Sequence, residues 1–393
     1  MIKSGLAAKG YTYVNVDEGW LLGRDAKTNE MIEDKNFFPS GMKGLGDWVH
    51  ALDVPGKGKI MKYGLYTSRG VTQCDTAEYQ QRCIHTAPNP VCGAYPACRC
   101  EGTNGYEAID AQWMVDAGAD YIKEDSCGGN QTHSVAFSDY GKMRDALNKS
   151  GTAAGRPIFF SLCGWETWYA PPDPSVNYGG GKTLGNSYRI HGDGSNWGHL
   201  SGCTNTIAAI GKFSGPGHWA DPDLLIGPET KEPMHVGGQT DLQARTQFNL
   251  WSMFPAPLLI SQNVLTWSKY ALATYSNTEV IAINQDPVEH GAGARIAGSD
   301  LSFPCSPSAA DTCTNVWGRV LADKSLAIAF VNNGNNTASV SCGATCFKAL
   351  ADASSVPVTA GPYKATDLWS TSDGVVVIDV TAGGFSASVP GGG

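Results

Sequence analysis

Five carboxylates stand where short apolar runs give way to loops, Asp17 and Glu18, Asp125, and Asp221 with Asp223, and a sixth, Asp193, ends the polar segment Asn186–Asp193. A carboxylate in such a place is costly to bury unless it binds, pairs or reacts. The fold is expected to bring them together with Trp20, Tyr66, Trp165 and Trp219. Carboxylates that hold hydroxyls, beside aromatic rings that cover an apolar ring face, suit a sugar. Glycoside hydrolysis is the reaction that needs two carboxylates, one as nucleophile or base and one as acid. The competing reading makes these residues metal ligands, helix N-caps or partners of Lys123 and Arg189.

The elements around these residues follow from hydrophobic periodicity. Tyr11–Val16, Lys62–Tyr66, Asp120–Asp125 and Pro157–Leu162 read as strands, with later ones at Gly217–Ala220 and in the run ending Pro257–Ile260. Helical patterns occupy Leu45–Leu52, Tyr106–Ala117 (capped by Gly118), Asp139–Asn148, 240–252 and 277–284. Such alternation over about 250 residues predicts an α/β fold, a (β/α)8 TIM-type barrel. In that fold the C-terminal ends of the strands carry the chemistry. After about Pro287 the pattern changes to short alternating runs, Ser325–Val331, Lys364–Trp369 and Gly374–Asp379, separated by Gly, Ser and Asn. This predicts a barrel over 1–287 and an antiparallel β-sandwich over 288–393.

Composition narrows the function. The chain has 393 residues, 42% hydrophobic, with 28 basic and 37 acidic side chains, for a net charge of −9. That balance argues against a nucleic-acid partner. No apolar run reaches the roughly 18 residues of a membrane helix. The even count of 12 Cys, with sequons at Asn130, Asn148 and Asn335, favours an oxidising, secreted or lysosomal/vacuolar setting. Cys74, Cys83, Cys92, Cys98 and Cys100 read as a disulfide-pinned loop rather than a metal site, because one His (His85) and no repeated CxxC pair accompany them. The pairing within Cys83–Cys100 stays open. His191 and His218 read as loop residues rather than catalysts. Trp113 and Trp251 read as core, and Glu124 faces away from Asp125 on an alternating strand.

Asn15–Trp20 (NVDEGW), Phe38–Met42, Tyr63–Tyr66, Asp120–Cys127 (DYIKEDSC), Trp219–Leu224 (WADPDL), Pro255–Ile260 and Asn277–Pro287 (NTEVIAINQDP) occur in this order. Together they resemble glycoside hydrolase family 27, the α-galactosidase family, over about residues 1–290, and more loosely beyond. The resemblance implies a retaining exo-glycosidase acting on terminal α-D-galactosyl groups of oligosaccharides or glycoconjugates, with no metal or organic cofactor. It makes Asp125 the nucleophile and Asp193 the acid/base, with the two carboxylates about 5 Å apart. It gives Lys123 and Arg189 to sugar hydroxyls and to biasing the carboxylates, and Asp17, Tyr66 and Asp223 to hydroxyl binding. It pairs Cys74 with Cys127 in a disulfide. Oligomeric state is left open.

The chain departs from the family pattern in three places. Glu18 stands where the family has a second Asp holding the hydroxymethyl region of the sugar. Its carboxylate reaches about 1.5 Å further. That favours a sugar lacking this group, so β-L-arabinopyranosidase activity is the alternative expectation. Cys163-Gly164-Trp165 lacks the Glu that many relatives carry between Cys and Trp. The space opened is of the kind an N-acetyl group needs, as in α-N-acetylgalactosaminidases. Cys163, next to Gly164 and Trp165, has no Cys at the partner position near Gly185 and is expected as a free thiol in the pocket. Finally, Met1–Gly5 matches the interior of the family's first helix. An N-terminally truncated barrel lacking its first strand, with an open seam and poor folding, is therefore expected. A non-catalytic carbohydrate-binding protein is the reading from another functional class.

Overall fold

The computed structural model describes residues 1–74, 82–83, 100–228, 238–301, 313–359, 361–369, 377–380 (backbone only) and 384–392. Cys92 and Cys98 of the expected pinned loop, with its His85, lie outside these residues. The chain forms two compact units: Met1–Gly164 with Pro171–Tyr188, and Trp165–Ala170 with Arg189–Gly393.

The first unit begins with strand β1 (Tyr13–Asn15), then a hairpin of β2 (Leu21–Arg24) and β3 (Met31–Glu33). β1 pairs in parallel with β4 (Lys62–Ser68), β4 with β5 (Tyr121–Asp125), β5 with β6 (Phe159–Cys163), and β6 with β7 (Ser187–Arg189). Helices Gly41–Ala51, Glu107–Asp116 and His133–Ala153 connect them. Parallel order along the chain with intervening helices is the expected barrel pattern. From Tyr63 to Ser68, β4 is buried at every residue, as a parallel strand covered on both faces must be. Neighbouring backbones pack closely here: a Cβ on Gly64 would lie 2.1 Å from Asn15 Oδ1.

Two sequence expectations need correction in this unit. The helix expected at Asp139–Asn148 runs from His133 to Ala153, because Ala136, Tyr140, Met143 and Leu147 form one buried stripe that begins a turn earlier. Trp20 is not a sugar platform. It is 1% exposed, stacks on Trp113 at 5.3 Å, and donates its indole N–H to the Tyr66 carbonyl at 3.0 Å. Its ring is core, and its polar atom is used to brace β4.

In the second unit, β8 (Trp219–Asp221) accepts at Asp221 O the N–H of Ile190, and Leu225 and Ile260 form a parallel bridge. That bridge is all that the expected strand ending at Ile260 contributes. Helix Trp197–Ile210 precedes β8. Helix Asp241–Met253 follows it, opened by a capping box between Thr240 and Gln243, and then come Lys269–Tyr275 and Thr278–Gln285.

Antiparallel strands β9 (Ala294–Gly298), β10 (Thr314–Val320) and β11 (Leu326–Asn332) form one sheet, with pairs of β12 (Ala338–Gly343) with β15 (Gly384–Val389) and of β13 (Tyr363–Thr366) with β14 (Val377–Val380) beside it. A helix, Ala344–Ser354, interrupts what the sequence presents as continuous sandwich. Its Phe347 and Leu350 fill the core with Val316, Val340 and Ile296, and Cys342 is disulfide-linked to Cys346 at its start.

The compact units do not part near residue 287. Phe254 meets Trp317 edge-on at 4.9 Å, and Arg319 donates to the carbonyls of Ile283 and Asp286 at 2.6 and 2.7 Å. The last helices before 287 therefore share a core with the sandwich strands.

Candidate active site

The candidate side chains lie toward the C-terminal ends of the strands or in the loops that follow them. Asp125 is the last residue of β5, and Lys123 lies two residues earlier on the same face. In register, β4 sets Tyr66 beside Lys123, and β6 sets Cys163 beside Asp125. The Tyr66 hydroxyl donates to Asp125 Oδ2 at 2.9 Å, and the Ser126 N–H donates to Oδ1 at 2.7 Å. Asp125 is 6% exposed, and both of its oxygens are held by donors. Such donors favour the anion and fix its lone pairs.

Burial, then the charges of Asp125, Glu18 and Asp17, push the Tyr66 phenol far above its ordinary value, so it remains a donor. Lys123 Nζ pairs with Asp17 Oδ2 at 2.9 Å and sits 5.0 Å from the Tyr66 ring centre. Asp17, Glu18, Tyr66, Lys123 and Asp125 are thus gathered in the first unit. Cys74 and Cys127 form the expected disulfide beside them, and Cys83 joins Cys100. Cys163 departs from its expected place. It has no accessible surface, which removes its thiol from sugar contact in this structure.

Behind Asp125 the alternation of β5 turns Glu124 to the opposite face, fully buried. Burial raises its carboxyl well above the usual range, and Thr103, 2.8 Å away, only partly offsets this. Thr103 Oγ1 also lies 3.0 Å from the Ser68 carbonyl. A protonated Glu124 donating to that hydroxyl leaves the hydroxyl proton for Ser68, and both contacts are satisfied. The folded state therefore holds a proton that the unfolded state releases near pH 4.5. Stability from this group is full below that pH and falls as pH rises toward the folded value, by up to about 1.4 kcal/mol per pH unit. Glu124→Gln is expected to raise the melting temperature at pH 7 and to change it little at pH 4.5. Equal effects at both pH values would show that Glu124 is ionised in the fold.

In the second unit the guanidinium of Arg189, last residue of β7, gathers two carboxylates. Its Nη2 lies 3.0 Å from Asp193 Oδ1 and 2.8 Å from Asp223 Oδ2. Asp193 is 78% exposed, open to a substrate on the solvent side. Asp223 is the reverse: buried, at φ 88°, with the Gly194 N–H at 2.6 Å on Oδ2 and the Leu224 N–H on Oδ1. With its oxygens so engaged, Asp223 positions the segment carrying Asp193 more directly than it offers acceptors to a sugar. Asp221 accepts from the Asp223 N–H at 2.9 Å, which gives it a role in the turn.

Trp165 is half-buried at φ 60°, a conformation that non-glycine residues adopt only under constraint. Its buried indole N–H meets no acceptor among the described residues. The structure also groups His191 with His199 and Cys203, of which only the four-residue spacing of the latter two is visible in the sequence. The imidazoles are 3.0 Å apart, burial depresses the protonation of His191, and burial pushes the Cys203 thiol up to about 12.

Residues 1–286 match the family model described as alpha galactosidase A, and residues 311–393 match the alpha galactosidase C-terminal beta sandwich domain. The chain is 31% identical over 345 residues to an alpha-galactosidase of Cyamopsis tetragonoloba, covering 86% of this chain and 68% of that protein. A putative alpha-galactosidase/melibiase from Bacteroides fragilis superposes with a TM-score of 0.74 at 25% identity, covering 100% of this chain and 72% of that one. A family 27 β-L-arabinopyranosidase from Geobacillus stearothermophilus, crystallised with arabinose, shares the fold. It has a TM-score of 0.70 at 19% identity, covering 99% and 90% of the two chains.

Proposed function

The chain belongs to the α-galactosidase family, glycoside hydrolase family 27, and we propose that it is a retaining exo-glycosidase releasing terminal α-D-galactosyl groups from oligosaccharides or glycoconjugates. One observation carries the reading: a buried Asp125 whose two oxygens are held by Tyr66 and by the Ser126 N–H at a strand end. In this reading Asp125 attacks the anomeric carbon while Asp193 gives a proton to the leaving oxygen. A galactosyl ester of Asp125 results. Water then attacks the same carbon, Asp193 takes its proton, and galactose leaves with its original configuration. Lys123, Asp17 and Arg189 bind hydroxyls, and Trp165 offers an indole N–H that meets no acceptor among the described residues. The barrel is assigned to 1–287 and the sandwich to 288–393. Exposed sequon residues Asn130, Asn148 and Asn335, with three disulfides between described cysteines, support a secreted or lysosomal/vacuolar glycoprotein.

Glu18 favours the second reading, β-L-arabinopyranoside hydrolysis. It is half-buried, and its charge acts on the Tyr66 phenol more strongly than that of Asp17. The test is a rate comparison on aryl α-D-galactoside and aryl β-L-arabinopyranoside, with NMR of the first-formed sugar. Retained α-galactose is expected. Glu18→Asp should shift the rate ratio toward galactoside by about tenfold, the scale of one methylene in a specificity pocket. No cleavage of the galactoside, or an inverted product, overturns the main reading. An unchanged ratio removes the Glu18 argument.

A further inference from the structure

Helix Trp197–Ile210 is anchored at its start by Asn196, whose side chain accepts the His199 N–H at 3.1 Å. His199 and Cys203 are four residues apart, on one face of this rigid element. The loop after β7 returns to the same face and brings His191, with Nδ1 at 3.0 Å from His199 Nε2. The rings are almost perpendicular, at 87°. His199 Nε2 also lies 2.9 Å from the Gly192 carbonyl. A hydrogen bond between imidazoles accounts for that approach but not for the thiol beside them. The ligand atoms of His191, His199 and Cys203 all lie within 4.8 Å of one another.

We infer that His191, His199 and Cys203 form a binding site for a soft divalent cation of the zinc class. Two imidazole nitrogens and one sulfur select zinc-like metals over calcium or magnesium, which require oxygen ligands. Around a tetrahedral zinc such atoms stand about 3.3–3.8 Å apart, so small side-chain rotations from the present spacing suffice. Cys203 is buried and the two histidines are half-buried, so the metal enters on the imidazole side with water as fourth ligand. Binding makes the sulfur–metal bond and releases the thiol proton to solvent. Asp193 lies two residues beyond His191, and Arg189 donates to the His191 carbonyl at 3.3 Å. Occupancy therefore clamps the segment carrying Asp193 to the helix.

The test uses the full chain without a histidine tag, freed of metal by chelator and titrated with cobalt(II). One equivalent should produce a thiolate-to-cobalt charge-transfer band, bleached by zinc and unaffected by calcium or magnesium. C203A should lose the band, and H191Q and H199Q should each weaken binding by about 100-fold. Absence of the band in the wild-type protein overturns the site. So does wild-type cobalt affinity in both histidine variants, a result that holds even where C203A fails to fold. A second arm rests on the proposed role of Asp193: zinc should alter glycoside hydrolysis in the wild type and not in H199Q. Binding without that response keeps the site and overturns the coupling to hydrolysis.

Discussion

Asp125→Asn is expected to lower kcat on an aryl α-galactoside by at least about 10⁴-fold, the scale on which removal of a nucleophile acts. Asn has the same shape but no anionic oxygen to form the ester. The fold should tolerate it. The Asn carbonyl can keep the Ser126 N–H, and the Tyr66 hydroxyl can turn to accept from the amide where it now donates to Asp125. The unfolding midpoint should therefore move little while turnover is lost. Asp125→Gly provides the sharper readout. With room at the anomeric carbon, azide should restore turnover and give a galactosyl azide of inverted configuration, since one displacement replaces two. Full activity in Asp125→Asn would assign Asp125 a structural role instead, and azide rescue with retained configuration would make it the acid/base rather than the nucleophile.

Arg24→Met should cost about 3–5 kcal/mol of stability, the loss expected when one partner of a buried ion pair is removed. Arg24 is 1% exposed and Asp110 is fully buried. The guanidinium meets both Asp110 oxygens at 2.6 Å, and also the carbonyls of Gly102 at 2.7 Å and Asn29 at 3.0 Å. Its face covers the Tyr106 ring at 4.0 Å. One side chain thus ties the β2–β3 hairpin to helix Glu107–Asp116 and to the segment before it. Removing it leaves a buried carboxylate and two carbonyls without their donor. The double variant Arg24→Met/Asp110→Leu should regain most of the loss in urea denaturation, because the fully buried carboxylate is gone and Glu101, the other acidic partner of Arg24, is 13% exposed and can take water in its place. A cost below about 1 kcal/mol for the single variant would show that water replaces the guanidinium.

Much of the barrel is legible because its signals are local. β4, β5 and β6 lie within a residue or two of their expected positions, and helix Glu107–Asp116 ends at Gly118, at φ 92°, as its sequence implies. The spacing of Lys123 and Asp125 already places them on one face of a strand. β7 is not legible. Ser187-Tyr188-Arg189 carries no apolar run, and it is a strand because β6 offers it a parallel edge. Helix Ala344–Ser354 is hidden for a related reason: its start is fixed by the Cys342–Cys346 disulfide and its apolar face by the sandwich core.

By itself the sequence determined the family, the alternation of strands and helices, and the residue types that carry the chemistry. These follow from the order of motifs and from periods that record which face of each element is buried. Tertiary structure alone decided how those residues are used. It buried Trp20 and Cys163, and it committed Asp223 to Gly194 and Arg189. It also brought His191 back to His199 and Cys203. Burial and hydrogen-bond partners come from segments distant in the chain, and no local pattern of side chains records which distant segment will arrive.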